Sequence, residues 1–155
     1  MSPAEVLVTT LRQKGLTVAV AESLTGGWVC GALVSVPGSS DVLRGGVVAY
    51  TIEAKRILLG LDDEVLARGV VSESVAGAMA RAVSGILGAD IGIATTGVAG
   101  PTPHEGAPVG QVCLGVWSPS ATCTWTLHCG GDREAIRAAS VSAVIEGARE
   151  LIDSM

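Results

Sequence analysis

Phenylalanine is missing from the chain, and three tryptophans and one tyrosine, 3% of 155 residues, are its whole aromatic complement. A protein that holds single-stranded nucleic acid stacks bases on several aromatic faces, so that role finds no support. Positive charge is also short: 10 lysines and arginines stand against 15 acidic residues, a net charge of −5. Duplex DNA needs a basic face, and no nucleic-acid partner is expected. The four cysteines, Cys30, Cys113, Cys123 and Cys129, form no C-x-x-C pair, and His104 and His128 are far apart. Zinc-ligand spacing is therefore lacking, no metal or cofactor is expected, and the cysteines read as reduced core residues. Long apolar runs are lacking too: the two uncharged windows, 23–40 and 106–131, are interrupted by Gly, Pro, Ser and Thr, which predicts no membrane span. The start, Met1-Ser2-Pro3-Ala4-Glu5, has no basic segment followed by an apolar run, so a cytoplasmic location is expected.

What is present is 48% hydrophobic residues and only 16% charged ones, the composition of one compact domain over 1–155. Ser2-Pro3-Ala4-Glu5 reads as a capping box opening a helix with Leu7, Val8 and Leu11 on one face and Gly15 as its stop. Strands are expected over 16–21, 45–52 and 90–96, and a hairpin over 111–117 and 122–128 in which Cys123, Trp125 and Leu127 face the core and Thr122, Thr124 and Thr126 face water. Helices are expected over 28–36, 53–59 and 62–68. A longer one follows Ser72, with Val75, Met79, Ala82, Val83, Ile86 and Leu87 on one face, and a last one follows Asp132, with Ile136, Ala139, Ala143, Gly147 and Leu151. Strands alternating with helices early and an antiparallel pair late predict an α/β fold, a three-layer α/β/α sandwich with a mixed sheet.

The common catalytic signatures are absent, among them G-x-x-x-x-G-K-[ST], G-x-G-x-x-G, H-E-x-x-H and G-x-S-x-G. What stands out is a set of strand ends running into polar, glycine-rich segments. Glu22-Ser23-Leu24-Thr25-Gly26-Gly27 lies where a strand hands over to a helix; it could aim amides and a helix N-terminus at an anion, or Ser23 or Thr25 could simply cap the helix. Tyr50-Thr51-Ile52-Glu53-Ala54-Lys55 carries one of only two lysines in the chain. With no well-placed histidine, a lysine neutralised by burial is the remaining base for a serine; the alternative is a solvated lysine paired with Glu53. Tyr50 could orient either group through its phenol. Thr95-Thr96-Gly97-Val98-Ala99-Gly100-Pro101 could bring backbone amides close to a ligand, and Arg133 after Asp132 could hold a phosphate.

Together, the run from Ala21 to Lys55, Val71-Ser72-Glu73, TTGVAGP at 95–101, PVGQV at 108–112 and Gly131-Asp132-Arg133 resemble the C-terminal domain of the CinA competence/damage-inducible protein family. Stand-alone members of that family are nicotinamide-nucleotide amidohydrolases, and larger members carry a further N-terminal domain that a chain of this length is not expected to hold. The resemblance implies a small nucleotide as partner and hydrolysis of nicotinamide mononucleotide to nicotinate mononucleotide and ammonia, without cofactor. It implies Ser23 as nucleophile, Lys55 as general base and Tyr50 as their assistant. It further implies a substrate pocket built from Thr25, Gly26, Gly27, Thr96, Gly97, Ala99 and Gly100, with Arg44 and Arg133 available to the phosphate. Similar sequences often carry Tyr-Ser-Asn where this chain has Tyr50-Thr51-Ile52, so a polar group that could position Lys55 or the substrate is missing; a binding module without catalysis is the alternative. A homo-oligomer is expected, the threonine-rich hairpin being one surface that could pair with a copy of itself.

Overall fold

The computed structural model describes residues 1–155. Helix α1 (Pro3–Lys14) starts on the expected capping box: the Ser2 hydroxyl accepts the Glu5 N–H at 3.2 Å while the Glu5 carboxylate accepts from Ser2. It ends at Gly15 in the left-handed region. Strand β1 (Val18–Glu22) leads to α2 (Trp28–Val34), a short 3₁₀ turn (Ser39–Asp41) and β2 (Leu43–Val48). Three helices follow, α3 (Ile52–Leu59), α4 (Asp63–Ala67) and α5 (Glu73–Leu87). The chain closes with β3 (Ile91–Gly97), the hairpin β4 (Gln111–Trp117) and β5 (Thr122–His128), and α6 (Arg133–Asp153).

The strands form one sheet in the order β2-β1-β3-β4-β5. β1 runs parallel to β2 and β3, whereas β3–β4 and β4–β5 are antiparallel. Side chains of α1, α2 and α6 pack on one face and those of α3, α4 and α5 on the other, the three-layer α/β/α arrangement expected from the sequence. The two faces are built differently. One carries large residues, Val18, Val20, Ile91, Ile93 and Leu114, each stabilising the fold by roughly 1.5–3 kcal/mol when fully buried. The other carries Ala19, Ala21 and Ala94, so α5 lies close on the strands. A Cβ on Gly115 would come 2.6 Å from the Ala76 carbonyl oxygen, which makes glycine the residue that fits there.

Several expectations need correction. The strand expected over 45–52 is β2 at Leu43–Val48; Ile52 instead opens α3, because the Thr51 hydroxyl accepts the Ala54 N–H at 3.0 Å and caps the helix. On α5, Val75, Met79 and Val83 are buried as expected, but Ile86 is 52% exposed. On α6 the buried face runs through Ile136, Ser140, Val144, Ala148 and Ile152, one residue off the expected stripe. The small residue Gly147 admits the Trp125 ring, which would come 2.2 Å from a Cβ there. The threonine face of β5 is not simply wet, since Thr124 and Thr126 donate to the Glu73 carboxylate at 3.0 and 2.9 Å. Cys123 is exposed rather than in the core, because β5 is an edge strand. No helix is long and apolar enough to cross a membrane.

Candidate active site

The chain leaves β1 toward β2 on one side and returns to β3 on the other, so a crevice opens beyond the carboxyl ends of β1 and β3. Ser23 is the residue after β1. Its N–H donates to the Thr95 carbonyl at 3.1 Å, and the Thr25 and Thr95 hydroxyl oxygens lie 2.8 Å apart, which ties the turn after β1 to β3. A cavity of about 560 Å³ occupies the crevice, with Ser23, Lys55, Thr96, Gly100, His104 and Arg133 among its lining residues. That volume suits a nucleotide-sized ligand.

Helix α3 carries Lys55 inward beneath Ser23. The lysine is 1% exposed, and its Nζ lies 2.9 Å from Ser23 Oγ, 2.8 Å from the Ala49 carbonyl oxygen and 3.5 Å from that of Tyr50. No carboxylate pairs with the amine: Glu53 lines the cavity but is exposed and makes no ion pair with it. Burial without a counter-charge pushes the Lys55 pKa down to about 8. Two carbonyls can take two hydrogens of a neutral amine, which turns the lone pair toward the Ser23 hydroxyl. The arrangement can therefore move a proton from Ser23 to Lys55.

The remaining candidates divide. Thr96, Gly97, Ala99 and Gly100 line the cavity, and Thr96 is fixed by a 2.9 Å bond from its hydroxyl to the Val70 carbonyl. Tyr50 is 58% exposed at the mouth, where its phenol oxygen accepts from Arg133 at 3.1 Å; it touches Lys55 through its carbonyl and not through its phenol. Arg133 also donates to the Gly100 carbonyl, while Asp132 caps α6 by accepting the Ala135 N–H at 2.9 Å. Thr25, Gly26 and Gly27 do not line the cavity. Thr25 is fully buried against Thr95, and the two glycines turn the backbone with φ of 55° and 102°. Arg44 is an exposed residue near the amino end of β2, beside the start of β1, at the opposite end of the sheet from the cavity. It is removed from the site because β2 runs parallel to β1, which sets its amino end at the far edge from the crevice.

Glu22 escaped the sequence reading. It is fully buried, and its carboxylate accepts the Val29 and Cys30 N–H groups at 2.9 and 3.1 Å. The amino end of α2 is thus occupied from within the protein and is not offered to a ligand, and neither Ser23 nor Thr25 caps it. Burial, with the Glu22 charge beside it, pushes the Cys30 thiol up to about 12. Arg137 was missed as well. It donates to the Leu24 and Thr25 carbonyls at 2.8 and 3.2 Å and stacks 3.7 Å above the Trp28 ring, holding the outside of the turn that carries Ser23. The signal for Glu22 was available: an acidic residue ending an apolar strand run just before a helix start.

Fold and site define an α/β domain with a hydroxyl and a buried amine at the switch point of a mixed sheet. The model of the CinA C-terminal domain family matches residues 1–152, and the chain belongs to that family. It is 45% identical over 148 residues to a CinA-like protein of Frankia casuarinae, covering 95% of this chain and 34% of that protein. It is 44% identical over 156 residues to a CinA-like protein of Synechocystis sp., covering 97% and 38%. The chain thus spans about a third of the length of these curated relatives. Among solved structures, a competence-damaged protein (CinA) superfamily protein from Klebsiella pneumoniae superposes with a TM-score of 0.95 at 31% identity, covering 99% of this chain and 97% of that one. The competence/damage inducible protein CihA from Agrobacterium tumefaciens gives 0.92 at 35% identity, covering 97% and 93%.

Proposed function

We propose that the domain is an amidohydrolase that converts nicotinamide mononucleotide to nicotinate mononucleotide and ammonia through Ser23 and Lys55. The observation that carries this reading is the 2.9 Å approach of a fully buried lysine amine, its pKa lowered to about 8, to the Ser23 hydroxyl at the wall of the cavity. The choice of nucleotide rests on the resemblance to the amidohydrolase members of the family.

In the proposed reaction, neutral Lys55 takes the Ser23 proton as Oγ bonds to the carboxamide carbon. The buried residues Leu24, Thr25, Ala99 and Gly100 have backbone N–H groups with no acceptor inside the protein, and these amides flank Ser23 as candidate donors to the oxyanion. The carbon–nitrogen bond then breaks, and the Lys55 proton leaves with the nitrogen as ammonia. Water attacks the resulting ester; Lys55 accepts its proton and returns it to Oγ as the acid departs. Arg133, a cation, and His104, an N–H donor, are the groups at the mouth available to the phosphate. Ile52 lines the cavity but does not contact the amine, whose partners are Ser23 and the Ala49 and Tyr50 carbonyls, so its apolar side chain bears on substrate fit and leaves the base intact.

The test is ammonia release from nicotinamide mononucleotide by the purified chain, with calorimetry alongside. Turnover that is lost in Ser23→Ala and in Lys55→Ala, with circular dichroism unchanged, supports the reading. Heat of binding without ammonia from the parent chain would replace it with a nucleotide-binding module.

A further inference from the structure

Charge of both signs lines the cavity. Arg133, the first residue of α6, brings a positive group to it, and Glu53, in the first turn of α3, is the one carboxylate among the lining residues. Glu105 stands beside His104, with 4.0 Å between Nε2 and the carboxylate, but it lines a neighbouring hollow with Arg56 and Arg68. Buried Val70, Val98 and Ala99 add an apolar wall to the cavity.

Glu53 has no partner inside the protein. Its carboxylate joins no ion pair, and Arg56, one turn further along α3, pairs instead with Asp63 at 2.8 Å. Nor is its charge spent on the base, because burial alone lowers the Lys55 pKa, with no pull from the acid two residues before it. The helix dipole favours an acid in the first turn, which accounts for a gain in helix stability and leaves the carboxylate free to meet a ligand.

We propose that Glu53 sets the specificity of this site by recognising positive charge on the heteroaromatic ring of the substrate, so that an amide on an N-alkylpyridinium ring is selected over an amide on an uncharged ring. Granted the reading of the site as one for a nicotinamide nucleotide, on which this rests, the ligand carries both signs: a negative phosphate, and a ring nitrogen made positive by its bond to the sugar. The ring is joined directly to the carboxamide carbon that Ser23 attacks. It is thereby brought beside the end of α3 that carries both Lys55 and Glu53. An uncharged ring in the same place would strip water from the carboxylate and return nothing, so even a weak attraction becomes a selection.

Nicotinamide mononucleotide and its dihydro form isolate the ring charge, since they share phosphate, ribose and carboxamide. Binding of each is measured by calorimetry in the Ser23→Ala chain, where no turnover intervenes. The charged ring is expected to bind about fivefold more tightly than the dihydro ring, the scale of an ion pair near the surface. Adding Glu53→Gln is expected to bring the two within about twofold by weakening the charged form, whereas Glu53→Asp keeps most of the preference. Equal affinities before Glu53 is changed, a preference that survives Glu53→Gln, or an equal loss of both ligands in that variant would each overturn the proposal. Ammonia release by the parent chain is read separately. Turnover together with a preference indifferent to Glu53→Gln removes the specificity role and leaves the hydrolase, while a preference lost in Glu53→Gln without turnover in the parent keeps the role and removes the hydrolase. Should neither nucleotide bind, both fall.

Discussion

Two of the molecule's hollows invite comparison, and the larger of the pair is not the one that holds the buried lysine. A groove of about 880 Å³ runs between α5 and β5, with Glu73, Arg81, Ile86 and Trp117 on its walls. Its carboxylate is already spent on two threonine hydroxyls, and Glu73, Arg81 and Ile86 are all exposed residues. The smaller hollow, at the carboxyl ends of β1 and β3, has a lysine that the fold has stripped of water and given no counter-charge. A buried amine with a lowered pKa at the wall of a cavity is a mark by which a candidate functional site is recognised. Volume alone would not have chosen that hollow.

The sharpest way to break this comparison is to disarm each hollow in turn. Ser23→Ala and Lys55→Ala are each expected to lower ammonia release by about 10³-fold or more, and the double variant by no more than either single one, because the two groups act as a unit. Arg81→Ala, in the larger groove, is expected to leave the rate within twofold. Comparable losses from both hollows would erase the distinction.

Glu22, the chain neighbour of Ser23, and Lys55, its hydrogen-bond partner, are both buried ionisable groups, and stability separates them. Glu22→Ala leaves the Val29 and Cys30 amides without an acceptor in the interior and is expected to cost about 3 kcal/mol in urea unfolding, with Glu22→Gln recovering part of it. Lys55 behaves in the opposite sense. Its folded pKa near 8 lies below about 10.4 for an unfolded chain, so between those values the unfolded state binds more protons and stability rises with pH. The cost of burying the amine is complete below pH 8 and gone above about 10.4, a swing of about 3 kcal/mol. Lys55→Met removes it, so the Tm advantage of that variant over the parent is expected to shrink steadily from pH 7 to pH 10.5. A gap that does not change with pH would mean an unperturbed amine. The same titration sets the rate: kcat/KM is expected to rise with pH through an apparent pKa near 8, and a flat profile from pH 6 to 9 would remove Lys55 as the base.

The smallest effect is expected at the mouth. Tyr50 is exposed and bonds only Arg133 through its phenol, so Tyr50→Phe is expected to change KM by less than about tenfold and kcat hardly at all. A large fall in kcat would return the phenol to the reacting groups.

Much of the fold was legible because its signals are local. The capping box at Ser2–Glu5 and the hairpin strands at Gln111–Trp117 and Thr122–His128 stand where the residues alone put them. The residues alone left Ser23 open as a helix cap and Lys55 as a solvated side chain; their pairing was implied by the resemblance to the CinA family, and the two atoms lie 2.9 Å apart. What the sequence hid depends on contacts between distant segments. Arg44 lies between two site segments along the chain, yet the parallel register of β2 with β1 carries it to the far end of the sheet. Ile52 looked like the end of a strand because Thr51 is β-branched, but the same threonine is a good helix cap. The buried stripe of α6 runs one residue beyond the expected one, and the contact of Gly147 with the Trp125 ring of β5 is likewise absent from any local pattern.

One detail of Lys55 reaches beyond the proposed reaction. The two carbonyls that grip its amine belong to Ala49 and Tyr50, six and five residues upstream of it, so a single short stretch of backbone manufactures the tuned base and only the hydroxyl must be delivered from another part of the chain. The segment from Val98 to His104, which shapes the other wall, takes no part in that tuning. Evolution, or a protein engineer, is thereby free to rewrite that wall for a different amide while leaving the proton-transfer apparatus untouched.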